Sequence, residues 1–592
     1  MVKVKLETSP IKAEENDDEG AYNLPTESPA IKKEEIDESS THKAKRLKVQ
    51  DFRKCPYLDT VDRNYLDFDF EKLCSVSLTN LNVYACLVCG KFFQGRGKNT
   101  HAYTHSVQAS HHVWINLNTN KIYCLPDNYE VVDSSLDDVQ KALCPRFSPF
   151  EIARLDDNTT LVRDVFGVSF LPGYIGLNNL RCTDFVNVAL HALAHVPPLR
   201  DFFLVPENYS DSKSTLVHRF GEVMRKIWSP HNFKSSVSPH EFVQEITVAS
   251  KKRFRIGEQA ECIDFLAWLL NSLHKGLGGT KKKNSSIVYK CFQGMVHVIT
   301  HTKKKKKIKL SDSDSESEED DGVQESKGDK GVVDDGWEVT EGEVPFLHLT
   351  LAIPQTPLFK DSQGGNIIPQ VPLFTALQKF DGDTWADQVK YGVHTRRQYR
   401  LQQLPQYLIF HLGRFTKNNF FLEKNPTIVN FPVKNLELKE YVLPVENNNT
   451  PSKEDLKDMS VGELKKLLHR HNISTKGCIE RQELEQRAKD FLFTTLPELL
   501  GTKYDLLANI CHDSPPGQGK EGQMDPLKGG SYRAHVYNKA SDQWYEIQDL
   551  HVQETMPQLI GLSESYIMIY ERKKSAAENA ASLAAEVQGM VS

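Results

Sequence analysis

Two cysteines and two histidines between Cys86 and His111 have the types and spacing of a metal site. Cys86-x2-Cys89 sets two thiols on one tight turn, and after fifteen intervening residues His105-x5-His111 adds two imidazoles. Thiolate and imidazole together suit the tetrahedral, borderline-soft preference of zinc, and four protein ligands leave no open position for chemistry. The expectation is one structural zinc on Cys86, Cys89, His105 and His111. His101 and His112 flank the chosen pair, so the sequence leaves the choice of histidines open.

A second stretch, GLNNLRCTDFVNVALHAL from Gly176 to Leu193, reads as a catalytic loop entering a helix, with an aspartate, Asp184, where a nucleophile would be expected. A carboxylate attacking an amide would form an anhydride-like species with a better leaving group than the amine it displaces, so acyl transfer by Asp184 is chemically implausible. Asp184 is expected instead to cap the following helix by accepting backbone N–H bonds at the positive end of its dipole. Cys182, two residues upstream, would point to a different side of the loop.

These residues need folded units to hold them. A chain of 592 residues exceeds the roughly 250–300 at which single cores stop growing, and 39% hydrophobic residues can fill more than one core. No run of about 18 apolar residues and no N-terminal hydrophobic segment occur, which points away from membranes and secretion. Eleven cysteines without disulfide-framework spacing fit a reducing, intracellular compartment. The net charge of −6 names no partner.

Residues 1–50 are rich in Glu, Lys, Ser and Pro and are expected to form a disordered charged tail. VKLE, IKAE and IKKE within it resemble the SUMO attachment consensus, and HKAKRLK (His42 to Lys48) reads as a nuclear address or a solvated charge run. A lysine block followed by SDSDSESEEDD (Ser311 to Asp321) marks a disordered insertion at 302–337. Around it, β-rich runs such as PQYLIFHLGRF (Pro405 to Phe415) alternate with helical ones such as AECIDFLAWLLNSLH (Ala260 to His274), the mark of a large α+β domain. Leu464, Leu467, Leu468 and Leu484 in a block at 452–492 suggest a small helical insertion similar to a SAP helix-turn-helix. An Ala-rich tail follows at 574–592.

The region 51–150 resembles the UBP-type zinc finger that recognises the C-terminus of ubiquitin, through CLVCG, QGRG and the series His101, His105, His111. Some members of that family hold three zincs. Here Cys74 is followed by Ser77, Gln94 stands before the GR, and Cys55 and Cys124 face Tyr57 and Asp127 where partners would be. The resemblance therefore implies one zinc. It also assigns the ubiquitin carboxylate to Arg96, while Tyr123 and Leu125 replace aromatic residues of the family's pocket, which puts ubiquitin binding in question.

Residues 165–573 resemble the ubiquitin-specific peptidase domain, a papain-like fold of thumb, palm and fingers, through GLNNL, QAECIDFLAWLLNSL, CFQG, LPQYLIFHLGRF, YDLLANICH, GGSYRAHVY and WYEIQD, in that order. The resemblance places Asp184 at the nucleophile, Ser531 at the general base, Gln548 at the third triad position and Asn179 at the oxyanion amide. A thiol peptidase needs a thiolate, an imidazole and an orienting group, so these replacements imply a pseudoenzyme, and loss of the histidine leaves Cys182 without activation. Cys291 is followed by no C-x2-C pair, so no second metal is expected in the fingers.

The pairing of a reduced finger with a degenerate peptidase domain is similar to the inactive, tri-snRNP-associated branch of the family. That implies a nuclear, non-catalytic scaffold for pre-mRNA splicing, with tri-snRNP proteins as partners and small nuclear RNA as a further candidate contact. The alternatives are a ubiquitin or ubiquitin-like reader and, behind it, an active deubiquitinase using an unrecognised thiol.

Overall fold

The computed structural model describes residues 54–303, 337–354, 359–360, 366–390, 393–417, 422–443, 459–470, 481–490, 501–514 and 525–573, together with Leu456 and Ile473. The expected tails at 1–50 and 574–592, the SUMO-like lysines, the basic cluster and the acidic serine run lie outside these residues. No described helix is long and apolar enough to cross a membrane.

The N-terminal module is an antiparallel sheet with one helix inserted between its strands and a second, Asp137–Leu143, packed on it through Val139 and Leu143. Its strands β1 (Val83–Cys86), β2 (Phe92–Gln94), β3 (Val113–Asn116), β4 (Ile122–Cys124) and β5 (Tyr129–Val131) are ordered β2-β1-β3-β4-β5, with α1 (His101–Ala109) between β2 and β3. β1 and β3 are buried at every position, so both faces of the sheet carry packing. One face holds Val83, Ala85, Val113 and Ile115, and the other holds Tyr84, Cys86 and Trp114. Period-two alternation thus sends Cys86 to the face on which α1 delivers its histidines.

The second module has a helical layer, a long sheet and a projecting sheet. Asp184–Ala194 is buried on all sides and forms the hub of the helical layer. The expected helix in AECIDFLAWLLNSLH spans Cys262–Gly276 and buries Cys262, Leu266, Leu269, Leu270 and Leu273 at helical spacing. The long sheet runs Leu349–Ala352, Tyr407–Gly413, Ser565–Arg572, Lys503–Asp513, Ser531–Asn538, Gln543–Gln548, His551–Thr555, and a short strand, Leu436–Glu437, pairs with Lys503–Asp513. Its first pair is parallel and the others antiparallel. This is thumb against palm. The fingers are a four-stranded sheet of Trp337–Phe346, Gly294–Lys303, Val393–Gln403 and Ala386–Lys390.

The fingers correct one expectation. The insertion expected at 302–337 claims Thr302, Lys303 and Trp337, yet these continue the antiparallel ladder, with Lys303 opposite Trp337. Backbone pairing and a lysine–tryptophan contact at 6.0 Å extend the strands into the low-complexity boundary. Within the expected helical insertion, Val461–Arg470 and Arg481–Asp490 are helices that bury Leu464, Leu467, Leu468, Leu484 and Ala488 together.

The two modules are joined by buried charge. Lys226 Nζ lies 2.7 Å from Asp69 Oδ1 and donates to Phe68 O at 3.0 Å, while Asp69 Oδ2 accepts from Ser238 N at 2.8 Å. Lys226 is nearly inaccessible, and breaking such a pair from one side costs several kcal/mol, on the order of 3–5. The finger is thereby held to the helical layer.

Candidate functional site: a metal cluster and a self-satisfied peptidase centre

Cys86, at the end of β1, and Cys89, in the turn after it, meet His105 on α1 and His111 just before β3. Their donor atoms all lie within 4.8 Å of one another. Cys86 Sγ is 3.4 Å from His111 Nδ1, Cys89 Sγ is 3.5 Å from His105 Nε2, and the two imidazole nitrogens are 3.1 Å apart. A tetrahedron with Zn–S near 2.3 Å and Zn–N near 2.0–2.1 Å has edges of about 3.3–3.8 Å, so the donor set fits zinc in chemistry and in size. With protons alone, the two thiols share poorly: the hydrogen bond from Cys86 brings Cys89 down to about 4, and Cys86 is pushed well up.

Neither alternative histidine joins. His112 bonds Leu125 O through Nδ1 at 2.8 Å and packs at a tilt against Tyr57, with ring centroids 4.1 Å apart. His101 opens α1 and is not part of the four-donor cluster. His105 is seated by Phe93, whose ring stacks on it at 4.5 Å, and by the buried Trp114 at 5.6 Å.

The incomplete sets have become ordinary packing. Ser77 Oγ and Gln94 Oε1 bond at 3.1 Å beside buried Cys74, so two of the replaced positions satisfy each other. Cys55 and Cys124 are both buried, and burial raises the Cys124 thiol to about 11 in spite of a hydrogen bond with Tyr129. Arg96, the residue the resemblance assigns to the ubiquitin carboxylate, lies over the Tyr123 ring at 4.0 Å, and Leu125 is buried behind it.

The four aligned peptidase positions also converge, but each is already bonded within the fold. Asp184 opens its helix at the first helical position with Thr183 as N-cap, and no side-chain bond caps that helix. The expected capping role is therefore corrected. Asp184 Oδ2 instead accepts from Tyr532 N at 2.8 Å and from Gln259 Nε2 at 3.1 Å, tying the loop to the long sheet and to the approach of Cys262–Gly276. Burial raises its carboxyl above the usual range, and Oδ1 is a buried acceptor with no hydrogen bond.

Gln548 Nε2 donates to Ser531 Oγ at 3.1 Å, so the base and third positions face each other as a hydrogen-bonded pair with no titrating nitrogen. Asn179, which the resemblance aligns with the oxyanion amide, donates to Asp549 Oδ2 at 3.0 Å and accepts from Thr183 N at 3.0 Å. Asn187 adds a second donor to Asp549 at 2.8 Å. Arg181 and Cys182 hold left-handed φ angles of 68° and 52°, and Cys182 is exposed. The loop backbone is tight as well: a Cβ at Gly176 would fall 2.8 Å from Leu550 Cα.

One constellation has no counterpart in the sequence reading. Cys511 Sγ approaches His535 Nδ1 at 3.7 Å, and His535 Nε2 meets Glu546 Oε2 at 3.0 Å. The order thiol, imidazole, carboxylate is that of a thiol enzyme. Cys511 and His535 are fully buried, however, and Cys511 already contacts Ser563 Oγ at 3.0 Å. Desolvation opposes the charged imidazole, yet Cys511 and Glu546 outweigh it and raise His535 to about 9. Without access for a substrate, the trio is an internal ion-and-hydrogen-bond brace across three neighbouring strands.

Comparison with known proteins agrees with this pairing of modules. Residues 175–570 match the family model for ubiquitin carboxyl-terminal hydrolase, and residues 74–136 match the Zn-finger in ubiquitin-hydrolases and other protein. The chain belongs to the ubiquitin carboxyl-terminal hydrolase family. It is 45% identical over 528 residues to ubiquitin carboxyl-terminal hydrolase 39 of Mus musculus, covering 88% of this chain and 80% of the relative. It is 38% identical over 525 residues to the probable mRNA-splicing protein ubp10 of Schizosaccharomyces pombe, covering 87% and 88%. A crystal structure of an essential yeast splicing factor superposes with a TM-score of 0.60 at 26% identity, over 88% of this chain and 100% of the other.

Proposed function

We propose that this chain is a non-catalytic nuclear scaffold that supports assembly or stability of the spliceosomal tri-snRNP, and with it pre-mRNA splicing. The observation that carries the reading is a peptidase centre whose aligned groups are Asp184, Ser531 and Gln548, bonded to one another's surroundings with no thiol or imidazole among them. The family fold supplies the platform, and the relatives named for splicing supply the process. One zinc, on Cys86, Cys89, His105 and His111, holds the finger. The proposed units are a finger at 51–150, a peptidase-like domain at 165–573 with the SAP-like insertion at 452–492, and charged segments at 1–50, 302–337 and 574–592.

A ubiquitin-reading role is the second possibility, and Arg96 against Tyr123 disfavours it, because the guanidinium is already engaged with an aromatic face. Two measurements test the reading together. Depleting the protein in cells should raise unspliced transcripts and reduce tri-snRNP sedimenting as one particle. The purified chain should remain unlabelled by ubiquitin carrying a cysteine-reactive terminus. Labelling that vanishes in Cys182→Ser would make it an enzyme, and normal splicing after depletion would remove the scaffold role.

A further inference from the structure

The finger and the helical layer also enclose a cleft of about 510 Å³ that neither the metal cluster nor the peptidase centre uses. Lys72 and Leu81 line it from the finger, and Arg219, Glu241 and Val248 line it from the helices Thr215–Trp228 and His240–Ala249. Its cations are consumed internally. Lys72 lies 3.1 Å from Glu222 and 3.7 Å from Glu241, and Arg219 lies 2.7 and 2.6 Å from the same two carboxylates. Desolvation raises Glu222, but Lys72, Lys226 and Arg219 outweigh it and hold its carboxyl at about 2.

That closed square is neutral. Glu71 and Glu245 also line the cleft, and neither has an ion-pair partner among the described residues. Burial raises the Glu245 carboxyl, with Arg219 the one charge that opposes the shift. The same cleft also has an apolar lining on each wall: Leu81 is 69% exposed and Val248 71%. Large aliphatic side chains this open, on both walls of one cleft, mark a surface that another chain covers.

We propose that this cleft docks an extended segment of a partner protein that presents lysine or arginine beside an aliphatic side chain. Two uncommitted carboxylates would attract the cation and repel a phosphate backbone, so the occupant is protein and not RNA. The walls are fixed before binding, since Lys226 and Ser238 both bond Asp69 and Lys234 pairs with Asp67 across the same junction. A preformed site loses less free energy to ordering when it is filled. The surface extends beyond the scaffold reading and does not depend on it, because its test needs only the purified chain.

The probe is a fluorescent peptide of about twelve residues alternating lysine with leucine, long enough to span roughly 40 Å when extended, beside a control with glutamate for every lysine. Titrated into the full chain, the lysine peptide should bind in a salt-sensitive manner and the glutamate peptide should not. Glu71→Lys combined with Glu245→Lys should weaken binding by about tenfold or more, the loss expected for two charge-assisted contacts. Val248→Ser, which removes the apolar contact without adding charge, should weaken it too, and zinc content and melting temperature should hold in all variants. No binding of the lysine peptide, or equal affinity in the charge-reversed chain, would overturn the proposal. So would binding of single-stranded RNA, or self-association in sedimentation, that the same substitutions abolish.

Discussion

The metal cluster and the peptidase centre are built alike and have diverged in what they leave free. Each gathers side chains from separate elements onto the start of a helix or the end of a strand. In the cluster, the donor atoms of two thiols and two imidazoles all lie within 4.8 Å of one another. In the peptidase centre every aligned group has found a partner in the fold: Asp184 with Tyr532 and Gln259, Ser531 with Gln548, Asn179 with Asp549. Chemistry requires groups that are positioned but not satisfied. The four donors of the finger keep that property, whereas the aligned groups of the peptidase-like centre are bonded within the fold, with Asp184 Oδ1 the exception.

The largest effect should come from removing the metal. A structural zinc contributes on the order of 10 kcal/mol to a small metallo-domain, so chelation or Cys89→Ala should unfold residues around β1 to β3, read as protease cleavage between Cys86 and Cys124. Elemental analysis should return about one zinc per chain, since the Cys74 and Cys55 sets lack complete ligands. Two or three zincs would show that the replaced positions still bind metal and would erase the contrast between complete and incomplete sets.

The two centres also differ in how far they could be read from sequence. The cluster residues declare themselves locally, because Cys-x2-Cys and the two histidines lie within one run and the turn and helix bring them together. Asp184 stands out equally directly in its loop, but its bonds do not, since Tyr532 and Gln259 lie 348 and 75 residues away. Capping was the local inference and the tertiary contact displaced it. The trio Cys511, His535 and Glu546 left no signal at all: it depends on the register of three antiparallel strands, with His535 opposite Glu546, and no fixed spacing encodes that. The junction pair Lys226 and Asp69, 157 residues apart, was invisible for the same reason. Strand content was legible in the long sheet, at PQYLIFHLGRF, while the ends of the fingers strands were not, because low-complexity composition concealed the last paired residues.

A smaller effect should appear with acid, and it belongs to the peptidase-like domain. Burial lowers His191 and His512 to about 3 and His195 to about 4. In the unfolded chain the same groups titrate near 6.5. The folded pKa is the depressed one, so their stabilising share is complete above pH 6.5 and is lost as pH falls towards 4 and then 3. Each such histidine contributes a slope of up to about 1.4 kcal/mol per pH unit in that window. Thermal melts from pH 7 to pH 4.5 should show a steady fall, and His512→Phe should flatten it. A melting temperature independent of pH there would mean these imidazoles are more solvated than their packing indicates.

The smallest effect tests whether Asp184 is a relic of chemistry or a structural tie. Its carboxyl is raised by burial, the reverse of a salt-bridged acid, so ionisation works against folding and the cost grows as pH rises through the folded value. Asp184→Asn keeps, at the Oδ2 position, an oxygen that accepts from both Tyr532 N and Gln259 Nε2, and removes only the charge that burial penalises. At neutral pH the variant should therefore match or exceed the parent in melting temperature, within about 1 kcal/mol, and its margin should shrink towards pH 4. Cells carrying it in place of the parent protein should splice normally. A folded, abundant Asp184→Asn protein that leaves transcripts unspliced would mean that the carboxylate itself recognises something, and the peptidase centre would then belong with the metal cluster as a site still in use.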